Sequence, residues 1–202
     1  MAFRRSDRNH DSGGVVPIPV KIIIAGGYAV GKTTFVGSIS EIEPLTTEAA
    51  LTTMSAGVDV AGDADKHSTT VAMDFGRISL GDDLILYLFG TPGQERFQFM
   101  WDDLVRGAIG AVVLVDTSRL ADCFGAVDYF ESAGIPFVVA INAFFGRLHH
   151  TLDEVRDALA ISPDVPMVVT DARDRAATKA TLLELVQHAL TRAVEEGSAA
   201  PV

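Results

Sequence analysis

Gly26-Gly27-Tyr28-Ala29-Val30-Gly31-Lys32-Thr33-Thr34 fits the phosphate-binding pattern G-x-x-x-x-G-K-[ST] at every fixed position, and its neighbours supply the context that pattern needs. Ahead of it, Val20-Lys21-Ile22-Ile23-Ile24-Ala25 is a short β-branched run that reads as a strand; behind it, Phe35-Val36-Gly37-Ser38-Ile39 continues at helical spacing. A glycine loop between strand and helix wraps an anion with backbone N–H groups, and the helix N-terminus adds its partial positive charge. Lys32 would reach the β- and γ-phosphates of a nucleotide. The Thr33 hydroxyl would be an oxygen ligand for Mg²⁺, a hard cation that takes its other oxygens from phosphates and water.

Outward from that loop, 202 residues with 48% hydrophobic content are enough for one well-buried α/β domain. A formal net charge of -11 gives general nucleic-acid or anionic-membrane binding the wrong electrostatic sign. The lone cysteine, Cys123, rules out an internal disulfide and reads as a small core residue of a chain in a reducing cytosol. No apolar run approaches the roughly 20 residues needed to span a bilayer, so direct membrane insertion is not expected. Arg4, Arg5, Asp7, Arg8 and Asp11 break up any signal-peptide core, and neither Ala2 nor the Ser-Ala-Ala-Pro-Val end signals lipidation. A membrane location would have to come from a partner.

Residues 1–17 read as a disordered arm, 18–195 as the domain and 196–202 as a tail. The stretch from about Glu43 to Ser68 has no sustained period and reads as a long loop, the kind that is functional or disordered. Thr70 to Leu80 alternates as a strand, Gly81-Asp82-Asp83 turns, and Leu84 to Phe89 returns as its hairpin partner. Ile109–Val115, Phe137–Ile141 and Met167–Val169 read as buried strands. Helices are expected from about Arg119 to Ser132, Leu152 to Ala160 and Arg175 to Glu195, the last with Ala180, Leu183, Val186, Leu190 and Val194 on its apolar stripe. The sum is an α/β protein with a mostly parallel six-stranded sheet covered by helices on both faces, the hairpin supplying its one antiparallel pair. In such a sheet ligands bind beyond the carboxyl ends of the strands. The phosphate loop, Gly90–Gln94, Asn142 and Thr170–Arg173 all fall there.

These motifs, with Thr70-x-x-x-Asp74-Phe75, Gly90-Thr91-Pro92-Gly93-Gln94-Glu95-Arg96-Phe97 and Arg106-Gly107-Ala108-x-Gly110 in order, resemble those of Ras-superfamily small GTPases in a Rab-like arrangement. The Phe-Gly-Thr-Pro-Gly-Gln signature is more similar to bacterial members, above all the small GTPases of conservons, gene clusters that also encode a sensor-kinase-like and a roadblock-domain protein. The resemblance covers residues 18–195 and implies the P-loop NTPase fold of a small G-domain, GTP and GDP as ligands, Mg²⁺ as cofactor and a cytoplasmic switch that hydrolyses GTP slowly. By it, Gly26 to Thr34 hold phosphates, Thr33 and Thr70 ligate Mg²⁺, and Thr70 also contacts the γ-phosphate, with Thr69 a near-equal candidate. Gly93 would donate its N–H to the γ-phosphate, and Gln94 would orient the attacking water. Asn142 would bond the base, and Ala172 would offer its N–H to guanine O6. The resemblance also implies a roadblock-type partner, for which Phe97, Phe99, Met100 and Trp101 form an aromatic-rich candidate landing segment.

Three positions depart from the family pattern. Gly90 replaces the Asp that holds a Mg²⁺-bound water, which would weaken the metal site. Tyr28 stands where many members have a small residue, in the path of an activator's arginine. Phe145 replaces the guanine-reading Asp of Asn-Lys-x-Asp, here Asn142-Ala143-Phe144-Phe145, so discrimination against adenine loses its main carboxylate; Phe144 or Phe145 could stack on the base or simply pack. These departures motivate an alternative reading, a non-hydrolysing interaction module with relaxed or lost guanine specificity.

Overall fold

The computed structural model describes residues 16–51 and 69–199. Their strands are β1 (Ile18–Gly26), β2 (Leu45–Leu51), β3 (Thr69–Leu80), β4 (Leu84–Gly90), β5 (Ala108–Val115), β6 (Phe137–Asn142) and β7 (Met167–Thr170). The helices are α1 (Lys32–Ile39), α2 (Trp101–Val105), α3 (Phe124–Ala133), α4 (Leu152–Leu159) and α5 (Arg175–Ala199). One sheet runs in the order β2-β3-β4-β1-β5-β6-β7. From β4 to β7 every pairing is parallel; β3 pairs antiparallel with both β4 and β2.

The α/β fold is the one expected, with one strand more than six. The seventh, β2, lies at the sheet edge within the stretch read as a loop, pairing Leu45 opposite Phe75 through Leu51 opposite Thr69. Its sequence, Leu-Thr-Thr-Glu-Ala-Ala-Leu, has no clean alternation because an edge strand need not bury one whole face. The last helix also extends to Ala199, into the stretch read as tail, whereas the proposed arm lies almost entirely outside the described residues.

Two cores sandwich the sheet. The near-continuous apolar runs of β1, β5 and β6 send alternate residues to opposite faces. Ile22, Ile24, Val112 and Leu114 pack with Phe35, Val36 and Ile39 of α1 and Leu182 and Leu185 of α5. Ile23, Val113, Val115 and Ile141 pack with Trp101, Phe130, Val155 and Leu159 from α2, α3 and α4. Fully burying one such side chain contributes about 1.5–3 kcal/mol. Cys123 belongs to this second core, and burial pushes its thiol up to about 12, so it stays protonated.

The stripe expected on α5 is largely out of phase. Leu182, Leu185 and Ala189 face the sheet and Val186 of the expected stripe packs beside them, while Leu183, Leu190 and Val194 are exposed. The buried face begins with Thr178 and Thr181, which hydropathy counts as polar; their hydroxyls are satisfied by Ser38 Oγ at 3.1 Å and the Ala177 carbonyl at 3.0 Å. Among the described residues, no helix is long and apolar enough to cross a membrane.

Candidate functional site

The loop between β1 and α1 is shaped by residues in the left-handed region: Ala29 at φ 58° and Gly31 at φ 104°, after Gly26 at φ 136°. At Gly26 a Cβ would come within 2.4 Å of the Leu114 carbonyl, so only glycine fits. Gly31 caps α1 without any side-chain hydrogen bond, leaving the first N–H groups of the helix directed at the loop rather than spent on a cap. Lys32 folds back over this loop and donates to the carbonyls of Gly26 (2.9 Å) and Gly27 (2.7 Å). Lys32 is 9% exposed, and burial lowers its pKa to about 8, against an opposing pull from Asp74.

Asp74 is the residue that sequence reasoning missed. It lies within the Thr70-x-x-x-Asp74-Phe75 motif, where the sequence alone assigns it no role. Its carboxylate Oδ2 accepts the Thr33 hydroxyl at 2.6 Å, and the side chain is buried. Gly90, in the adjacent strand, makes room for it: a Cβ at position 90 would lie 3.0 Å from Asp74 Cβ and 3.1 Å from its Oδ2. A carboxylate from β3 thus lies beside Thr33 and Lys32, next to the position of β4 that carries none. The signal in the sequence was the pairing of an Asp on one strand of the hairpin with an unexpected Gly on the other.

This donor set fits Mg²⁺. A hydroxyl and a carboxylate oxygen converge at the start of α1, a combination suited to a hard cation that keeps waters and shares phosphate oxygens. Thr91, next to Gly90, has its hydroxyl buried with no hydrogen-bond partner among the described residues, a polar atom able to receive a metal-bound water.

Gly93 closes the front of the site. A Cβ there would meet Lys32 Nζ at 2.7 Å and the Gly27 carbonyl and Tyr28 Cα at 3.0 Å, so glycine is needed for the second loop to touch the first. Gln94 follows on the exposed side, capping a 3-10 turn over Glu95–Met100. Tyr28 is 65% exposed at the mouth, while its carbonyl accepts from Arg119 at 3.1 Å. Of the aromatic segment, Phe97 and Trp101 are buried and only Phe99 stands exposed, at 68%. Trp101 packs against Tyr129 and Phe130, with ring centroids 5.1 and 5.8 Å apart, so it holds α2 on the sheet and is not a landing site.

On the base side Asn142 ends β6 and acts as a clamp. Its Nδ2 donates to the Val30 carbonyl at 2.9 Å and its Oδ1 accepts the Ala172 N–H at 3.0 Å. The Ala172 N–H expected to meet a base oxygen is therefore taken up by Asn142 here. Phe145 is 79% exposed and packs into no core, with the Arg173 guanidinium 4.2 Å from its ring centroid. Arg173 also binds Asp171, with Nη2 to Oδ2 at 2.6 Å, and holds that carboxyl down to about 2.

The backbone of Thr70 pairs with that of Ala50 between β3 and β2, four residues along the strand from Asp74, or about 13 Å at the usual rise; its side chain lies outside what the structure describes. The other candidates, Gly26 to Thr34, Gly93, Gln94, Asn142, Phe145 and Ala172, do gather at the carboxyl ends of β1, β4, β6 and β7, or in the loops that follow them.

Comparison with known proteins agrees with this architecture. The chain is 30% identical over 125 residues to the uncharacterized protein MJ1339 of Methanocaldococcus jannaschii, covering 61% of this chain and 69% of that one. It is 26% identical over 137 residues to the Ras-related protein Rab-32C of Dictyostelium discoideum, covering 62% of this chain and about half, 52%, of the relative. The solved FeoB G-domain of Methanococcus jannaschii superposes with a TM-score of 0.56 at 13% identity, over 85% of this chain and 98% of that one, a likeness of fold. The model of one family, described as conserved hypothetical ATP binding protein, matches residues 24–192. The chain therefore belongs to that family, and its fold is the P-loop α/β fold of G-domains.

Proposed function

We propose that this protein is a nucleotide-dependent switch that binds GTP or GDP with Mg²⁺ and hydrolyses the triphosphate slowly. The observation that carries the reading is the contact of three parts at one point: Lys32 on the glycine loop, Gly93 of the following loop within van der Waals reach of it, and Asp74 bonded to Thr33. A γ-phosphate would enter between Lys32 and the Gly93 N–H, so its presence or loss would move the Gly93–Met100 segment directly. Thr33 and Asp74 would hold Mg²⁺, which supplies charge neutralisation to the phosphates. Gln94, one residue past Gly93, would orient water, and the exposed Tyr28 ring would obstruct an arginine offered in trans. Without such an arginine, hydrolysis is slow.

The names of the relatives point to both purines: the family description says ATP binding, whereas the Rab-like relative and the FeoB neighbour are of G-protein type. The resemblance to conservon GTPases further proposes a roadblock-type regulator and a sensor-kinase-like protein as partners. With Trp101 buried, Phe99 is the ring such a regulator would touch. The alternative, an interaction module that binds but does not cycle, draws on Tyr28 and Phe145. It loses support from Gly90, because Asp74 restores the carboxylate there.

Single-turnover hydrolysis of GTP tests the reading. Wild-type protein is expected to convert bound GTP to GDP over minutes to hours, with Gln94→Ala slowing it about tenfold or more. Tight binding without any conversion would favour the interaction module.

A further inference from the structure

The cleft beside the phosphate loop, about 400 Å³, is lined by Ala29, Asp116, Ser118, Phe145, Arg147 and His149, with Phe144 beside them. A guanine edge offers two donors, N1–H and the 2-amino group, and a site that selects guanine over adenine must accept both. The side-chain acceptors near the cleft already hold structural donors, so a base would have to share them. Asn142 Oδ1 takes the Ala172 N–H. Asp171 gives one oxygen to Arg173 Nε and N–H, at 2.9 and 3.0 Å, and the other to Nη2 at 2.6 Å. Asp116 accepts from the Ser118 N–H and hydroxyl at 2.9 and 2.7 Å and from Arg119 Nε at 3.3 Å.

What position 145 presents instead is an aromatic face with a guanidinium 4.2 Å away. An aromatic face stacks on any base, and a guanidinium only donates. Neither gives guanine's two donors a partner, and neither penalises adenine, which carries an acceptor at N1.

Accepting the proposed nucleotide binding, on which this rests, we infer that the base site takes GTP and ATP alike and that Phe145 is the residue that sets this tolerance. The backbone supports the assignment. Phe145 sits at φ 55°, ψ 34°, a left-handed conformation in which Asp and Asn are enriched and a bulky side chain is an outlier. The loop thus has the geometry for a short polar residue while carrying a ring. Phe145→Asp places a carboxylate there without added backbone strain.

The test is titration calorimetry of the full chain with the non-hydrolysable analogues of GTP, ATP and inosine triphosphate, and with inorganic tripolyphosphate. Wild-type protein is expected to bind the GTP and ATP analogues within about tenfold of each other, since stacking and shape alone discriminate weakly. Phe145→Asp should raise the preference for GTP at least about thirtyfold. Inosine triphosphate, which lacks the 2-amino group, should fall between the two. Because Arg173 can pair with the new carboxylate, Phe145→Asp/Arg173→Lys is measured beside it, lysine being unable to form the bidentate pair. A wild-type preference for GTP above about a hundredfold would overturn the inference while leaving the phosphate cradle intact. So would two folded variants that leave the ratio unchanged. Failure of wild-type protein to bind any of the four, tripolyphosphate included, would overturn the nucleotide-binding reading and this inference together.

Discussion

At the scale of single residues, the pair Gly90 and Asp74 makes the sharpest claim. Two carboxylates cannot share this space, because a Cβ at position 90 already lies 3.0 Å from Asp74 Cβ. Gly90→Asp alone is expected to cost about 1–3 kcal/mol, from crowding and like charge, read as a fall in the urea midpoint. Adding Asp74→Gly should recover much of that loss and restore Mg²⁺-dependent nucleotide binding from the other strand. If the double variant is no better than the single one, the carboxylate has not been exchanged between strands. Asp74→Asn should weaken triphosphate binding about tenfold in Mg²⁺ and much less in EDTA.

Lys32 makes a second claim at this scale. Its pKa falls from 10.5 to about 8 in the folded protein, so between about pH 8 and 10.5 the unfolded chain binds the extra proton. Stability of the ligand-free protein therefore rises with pH through that window and carries the full penalty below it, of order 3 kcal/mol. A bound polyphosphate favours the ammonium, so binding above pH 8 should take up a proton and weaken toward pH 10. Calorimetry in buffers of different ionisation enthalpy measures the uptake, and Lys32→Met should abolish it. Ala29, at φ 58°, offers a third prediction: Ala29→Gly should be neutral to about 1 kcal/mol stabilising in thermal melts, as left-handed strain is relieved against a larger unfolded-state entropy.

At the scale of elements, local signals served where a segment carries its own chemistry. The glycine loop was legible because two glycines at fixed spacing and a Lys-Thr pair are required in order. The strands β1, β5 and β6 were legible because burial on both faces leaves almost no polar residue in them. The start of α4 carries a full capping box, with Thr151 and Glu154 bonding each other's backbone N–H at 3.3 and 2.8 Å. Thr151→Ala is expected to cost about 1 kcal/mol by chemical denaturation.

Where tertiary context decides, the sequence was mute. β2 exists because β3 offers it an edge, and nothing periodic in Leu45–Leu51 announces it. The phase of α5 was misread because Thr178 and Thr181 occupy the buried face with hydroxyls satisfied locally. Asp74 and Gly90 are 16 positions apart in the chain but abut across the β3–β4 hairpin, a juxtaposition that only register reveals. The clamp made by Asn142 between Val30 and Ala172 was hidden for the same reason, since β6, β7 and the glycine loop meet only in the folded sheet.

At the scale of the whole molecule, the parallel part of the sheet sets the function. Parallel strands bring their carboxyl ends to one edge, so loops distant in sequence meet around a single anion site, with α1 pointing its N-terminus into it. Two packed cores hold those strands in register, and the connections from β4 into α2 and from β6 toward α4 lie beyond their carboxyl ends. Phe99, exposed on the segment next to Gly93, would report the bound nucleotide to a partner: Phe99→Ala should leave nucleotide affinity unchanged while weakening any nucleotide-dependent complex about tenfold, measured by surface binding with a roadblock-type protein. Trp101→Ala, by contrast, should destabilise the fold by about 3 kcal/mol or more, since it opens the core against Tyr129 and Phe130.

All of this depends on polyphosphate being held between Lys32 and the amides of the glycine loop. The most direct measurement is the affinity of wild-type and Lys32→Ala protein for a nucleoside triphosphate with Mg²⁺, by titration calorimetry on samples shown to be folded. Binding at micromolar concentration or below by the wild type, lost at least a hundredfold in the variant, is the predicted result; no wild-type binding at millimolar ligand, or equal binding by both proteins, would contradict it.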